Sequence, residues 1–174
     1  NLYRTNVTDA GVKEIATQIA RNCPLPTVAH NLFDGNLVKI VLDQTSVTDV
    51  GVQEIATNCP QLHTIDLSGT KVTDQGVQEL AIHCRDLKTI DLKETRVTDA
   101  GVKEIATHCP QLRIIYLTET QVTDQGVQEL AKNCRELTAI YLSGTKVTDA
   151  GIQDSGDNLV KIVLDQTSVT DVGS

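Results

Sequence analysis

The chain has 174 residues, 40% of them hydrophobic yet only four aromatic (three Tyr, one Phe, no Trp), and a formal net charge of −8. That length suits one domain able to bury a core without staples, and the acidic excess argues against a nucleic-acid binder, which needs clustered Lys and Arg. No apolar run approaches the length of a membrane span, and the first residues lack a basic-then-apolar signal pattern.

Self-alignment gives a period of 25 residues. Residues 1–23 hold the back half of one unit. Residues 24–36 are an insertion, since Thr8 and Thr48 lie 40 residues apart where later units keep 25. Pro24 and Pro26 disfavour helix there. The segment is expected to be a linker or partial end-cover, with Phe33 plugging the side of the array, in preference to a projecting contact loop. Five units follow over 37–158, the fifth three residues short, and 159–174 is a further partial unit. Residues 158–173 repeat 36–51 letter for letter, and alternate helices share wording, so copying in two-unit blocks is the simplest account.

Within a unit such as 87–111, Leu87, Ile90, Leu92 and Val97 take the inward positions of a short strand and its exit turn, while Thr89, Asp91 and Lys93 alternate outward. Thr98 is placed to cap a helix, Asp99 suits the positive end of its dipole, and Val97 can staple onto Val102. Val102, Ile105, Ala106 and Cys109 then form one apolar helix stripe facing the strand layer, with Pro110, or Arg85 in the alternate units, ending the helix. Gly51, Gly76, Gly101, Gly126 and Gly151 recur once per unit at the helix start and are expected at close-packing positions. One unit buries too little alone, so neighbours must share a continuous core.

The strings C-x-x-L-x-x-I-x-L and V-T-D-x-G-V, covering nearly the whole chain, resemble the cysteine-containing leucine-rich repeats of F-box/leucine-rich-repeat adaptors and the TDAGL-type repeats of bacterial proteins. The resemblance implies an α/β leucine-rich repeat solenoid (a horseshoe with parallel strands on the concave face and helices on the convex face) and a protein-binding scaffold. Two departures stand out. Thr45, Thr70, Thr95, Thr120, Thr145 and Thr167 replace the Asn or Cys usual after the strand, and the turn is one residue shorter. A ladder of Thr hydroxyls tying adjacent turns is expected in place of the Asn ladder. No F-box-like segment precedes the repeats, so the ubiquitin-adaptor role is not expected to carry over.

Because the scaffold repeats, the positions that vary stand out. The middle outward column is Val41, Asp66, Asp91, Tyr116, Tyr141, Val163; it is flanked by Lys39, Thr64, Thr89, Ile114, Ala139, Lys161 and by Asp43, Ser68, Lys93, Thr118, Ser143, Asp165. At about 4.8 Å per strand, Tyr116 and Tyr141 should stack, with Ile114 and Ala139 extending an apolar patch. Tyrosine is enriched at interface hot spots, so the leading expectation is partner binding by Tyr116 and Tyr141 with Ile114, Asp91, Asp66, Lys93 and Glu119 around them. The acidic surround favours a basic partner. The competing view is a cross-strand pair that merely stabilises the sheet.

No catalytic, cofactor or metal site is expected. The Thr-Asp pairs recur at every helix start, as caps do, and there is no Gly-rich phosphate loop. One cysteine per unit (Cys23, Cys59, Cys84, Cys109, Cys134) reads as a small buried hydrophobe, and an odd count without C-x-x-C argues against disulfides and zinc, even with His83 and His108 nearby. Unpaired thiols weigh mildly toward an intracellular location. The Asn6-Val-Thr8 sequon is a common chance match. Two alternatives accompany partner recognition: self-assembly through uncapped solenoid ends, and a fragment of a larger adaptor or receptor.

Overall fold

A computed structural model describes residues 8–14, 39–153 and 161–163. The expectations for the insertion 24–36 with Phe33, for Cys23, Asn6 and Thr167, and for most of the last partial unit lie outside those residues. Elements alternate along the chain. After α1 (residues 9–14) come β1 (Lys39–Val41), α2 (Asp49–Asn58), β2 (Thr64–Asp66), α3 (Asp74–His83) and β3 (Thr89–Asp91). They are followed by α4 (Asp99–His108), β4 (Ile114–Tyr116), α5 (Asp124–Asn133), β5 (Ala139–Tyr141), α6 (Asp149–Gln153) and β6 (Lys161–Val163).

The six strands form one parallel sheet in chain order. Each is three residues long, with one inward Ile between two outward residues in β2 to β5, and the ladder continues through the buried Leu that follows, as in Leu92 N–H to the Tyr116 carbonyl at 2.9 Å. Register steps by one unit, so Ile65 pairs Ile90 and Ile90 pairs Ile115. The shortened fifth unit is absorbed before β6: Ala139 pairs Lys161 and the columns stay aligned. Among the described residues, the helices cover one face of the sheet. Leu87, Ile90, Leu92, Val97, Val102 and Ile105 are fully shielded, and the same positions are shielded in the neighbouring units. Full burial of a Leu or Ile contributes about 1.5–3 kcal/mol, so the core grows with each unit stacked.

Thr48, Thr73, Thr98 and Thr123 cap their helices as expected, each hydroxyl accepting from the backbone N–H two residues on. The aspartates do more than sit at a dipole. Asp74 Oδ1 accepts from the N–H of Thr98 at 2.8 Å and of Gly101 at 3.1 Å, while Oδ2 accepts from Thr98 Oγ1 at 2.6 Å. Asp49 and Asp99 do the same for the units that follow them. Asp9 and Asp124 hold Thr48 and Thr148. The recurring glycine is thereby explained: a Cβ at Gly101 would lie 2.5 Å from Asp74 Oδ1 and 3.2 Å from Val97 Cγ1.

One expectation needs correction. The threonines after the strands do not tie adjacent turns. Thr45, Thr70, Thr95, Thr120 and Thr145 are buried and donate to the Leu carbonyl three residues back in their own turn, at 2.6–2.7 Å. A buried hydroxyl must donate locally, and that carbonyl is the acceptor in reach. Adjacent turns are joined by backbone instead, as in Gln44 N–H to the Ser68 carbonyl at 2.8 Å. The cysteines close the buried stripe as expected, one residue past the last helical residue. Cys59, Cys84, Cys109 and Cys134 are the C-cap residues, so the helix stops before Pro110 or Arg85 is reached. They are buried, but they also act as donors: Cys84 Sγ lies 3.3 Å from the Cys59 carbonyl, and Cys109 and Cys134 each lie 3.7 Å from the carbonyl of the preceding cysteine.

Candidate functional site

The uncovered face of the sheet carries the variable columns. Register places Asp66, Asp91, Tyr116 and Tyr141 in one row across β2 to β5, and Thr64, Thr89, Ile114 and Ala139 in the row beside it. Tyr116 and Tyr141 stack with ring centroids 4.3 Å apart and planes 16° apart. Both remain partly exposed, which offset-stacked rings on a sheet face allow.

Lys93 folds back over this row. Its Nζ is 3.1 Å from Asp91 Oδ2 and 5.3 Å from the centre of the Tyr116 ring, within cation–π reach. Asp91 is only 8% exposed. Burial pushes its carboxyl above the usual range, with the neighbouring Asp66 charge adding to the rise and the hydrogen bonds and charge of Lys93 only partly opposing it. For Lys93 itself, burial pulls the ammonium down, but the hydrogen bond and charge of Asp91, with the charge of Asp66, outweigh it and the net shift is upward. Burial and the adjacent Tyr141 raise the Tyr116 phenol. Asp66 Oδ1 accepts from the N–H and hydroxyl of Ser68 at 3.0 and 2.7 Å.

Of the residues singled out in the sequence, Asp66, Asp91, Lys93, Tyr116 and Tyr141 thus come together, with Ile114 partly exposed alongside. Ala139 departs from expectation: at 7% exposure it adds little to an apolar patch. Glu119 lies apart, exposed on the turn leaving β4 with φ +56°.

That turn position is a feature the sequence reading missed. It is left-handed in five successive units, occupied by Gln44, Gly69, Glu94, Glu119 and Gly144. Glycine at two of those places was the available signal. Glu94 therefore stands beside Glu119 as a second exposed acid at the strand exit. At the strand start, His63, Lys88 and Arg113 follow one another, joined by backbone bonds of 2.8 Å from each N–H to the previous carbonyl. Lys88 and Arg113, the latter paired with Glu136, thus stand at the strand starts, and Glu94 and Glu119 at the strand exits.

Among the described residues no group of His, Cys, Asp and Glu is arranged to hold a metal ion. No helix there is long and apolar enough to cross a membrane.

Comparison with known proteins bears on the fold. The family model for the leucine-rich repeat matches residues 58–81 and 83–106, two consecutive units. No curated protein matches the chain in sequence. Among solved structures, an internalin from Listeria monocytogenes is similar over 76% of this chain and 49% of its own, at 17% identity and a TM-score of 0.45, so the chain spans about half the length of that protein. The matched units and the one-sided parallel sheet make this an α/β leucine-rich repeat solenoid, with strands on its concave and helices on its convex face. Leucine-rich repeat proteins generally serve as scaffolds for protein–protein interaction.

Proposed function

We propose that this solenoid is a non-enzymatic recognition scaffold that binds a protein partner on its concave strand face, centred on Tyr116 and Tyr141. The stacked pair carries the reading: two of the four aromatic residues of the chain lie adjacent on the uncovered face, in the columns where the units differ. Ile114 extends the apolar contact, and Asp66, Asp91, Lys93 and Glu119 supply the polar surround. Selection from a displayed random-peptide library provides ligands with which to test it. Replacing both tyrosines by Ala is expected to weaken the selected peptides by about 100-fold while leaving the far-ultraviolet circular dichroism unchanged. Undiminished binding to the folded double variant refutes the concave-face assignment.

A second reading, self-assembly, is favoured by one observation. β1 and β6 are the outermost strands of the described sheet and carry the same Lys-Ile-Val sequence, within two segments identical over 36–51 and 158–173. Light scattering on a size-exclusion column separates the two: end-to-end association raises the mass with protein concentration, and concave-face recognition leaves it constant.

A further inference from the structure

The chemistry of the partner can be narrowed, on the premise that the concave face is the binding surface. Lys93 is the only cation in its column; Asp43, Ser68, Thr118 and Ser143 hold the equivalent places in the described units. Its ammonium lies between Asp91 and the Tyr116 ring, yet its side chain is still 39% exposed. Asp66, next in the row, satisfies one oxygen through Ser68 and has no ion pair within 4 Å among the described residues. Two carboxylates therefore share one ammonium, and Asp43 and Glu94 add negative charge on either side.

A lysine ammonium is a point charge on a flexible stem, and here it reaches one carboxylate while leaving the other open. A guanidinium differs in kind. It is planar, carries five donors in a fixed fork, and pairs with carboxylates while stacking on an aromatic ring. We propose that Asp66, Asp91 and the Tyr116 ring form a seat for the guanidinium of an arginine in a partner's peptide segment, and that Lys93 holds that seat in the free solenoid. Binding displaces Lys93 toward solvent and gives Asp66 the direct ion pair it does not make with Lys93. The adjoining Tyr141 and Ile114 then take the apolar neighbour of that arginine.

The test uses peptides selected on the wild-type protein, with affinities followed by fluorescence anisotropy. Arginine is expected to be enriched, and replacing it by citrulline, its neutral isostere, should weaken binding about tenfold. Asp66→Asn should remove the difference between the arginine and citrulline peptides. Lys93→Met, which takes away the competing charge and keeps the stem, should tighten the arginine peptide several-fold and leave the citrulline peptide unchanged. Tyrosine-dependent peptides with no arginine preference, or an arginine peptide unmoved or weakened by Lys93→Met, overturn the seat and leave the concave-face reading intact. Peptides indifferent to the tyrosines overturn that reading itself, and a library that yields no binder overturns both. The citrulline comparison is made on the unmodified protein, so it decides the matter even where a variant folds poorly.

Discussion

The helix starts and the concave strand face of this solenoid obey opposite rules. At the helix starts every unit presents the same Val-Thr-Asp-x-Gly, and Asp49, Asp74 and Asp99 are each consumed by the next unit, accepting from Thr N–H, Thr hydroxyl and Gly N–H. On the strand face, neighbouring units place Asp, Asp, Tyr and Tyr in one row. There the side chains meet solvent and each other, and the joint between units is chiefly the backbone ladder, crossed by the Tyr116–Tyr141 stack and by Lys93 over Tyr116. Where a side chain's partner lies in the adjacent unit, any change breaks two units at once; where the backbone chiefly carries the joint, the side chain is free to differ. The two rows thus separate what holds the units together from what they can present to another molecule.

The largest expected effect breaks that separation from the helix side. Asp74→Ala removes the acceptor for three donors of the following unit, one of them the capping hydroxyl, and should cost about 3 kcal/mol. Asp66→Ala, on the strand face, should cost about 1 kcal/mol at most. Urea unfolding of the two variants measures the difference; equal losses would mean the rows are not distinct.

The second test concerns the buried thiols at the helix ends. Burial pushes Cys84, Cys109 and Cys134 up to about 12, so they stay protonated in the folded chain, whereas an unfolded chain ionises them from about pH 9. The folded state then binds more protons than the unfolded one, and stability falls as pH rises from 9 to 12. The variant with all three replaced by Ala should show a shallower fall over that window, and in the native protein Cys84, Cys109 and Cys134 should react with a thiol reagent only on unfolding. The smallest effect sharpens the comparison at its border. Glu94 holds φ +55° where Gly69 and Gly144 hold the equivalent place in other units, so Glu94→Gly should stabilise by about 1 kcal/mol. A lower urea midpoint would show that the side chain contributes more than its backbone strain removes.

Much of this was legible in the chain. The columns and their register follow from the period alone, since a parallel stack can align its strands in only one way when the inward Leu and Ile must all face the helices. The stacking of Tyr116 on Tyr141 followed from that register. What escaped was set by partners one unit away or by conformation. Asp74 looks like a helix-dipole residue because its acceptors' donors, Thr98 and Gly101, stand 24 and 27 places further on. Thr95 could donate forward or back, and burial within its own turn decides the direction. The fold of Lys93 over Tyr116 depends on a flexible stem that periodicity cannot orient.

The three kinds of joint between units also have a mechanical meaning. Strand ladder, aspartate bridges and thiol–carbonyl contacts run along three separate corners of each unit: the strand, the helix start and the helix end. Two bodies joined at three points that are not in line cannot hinge, because rotation about any two of the contacts opens the third. Neighbouring described units are therefore held at three places, which restrains pitch, roll and spacing between them. Groups on the concave face thus sit at intervals set by the strand register.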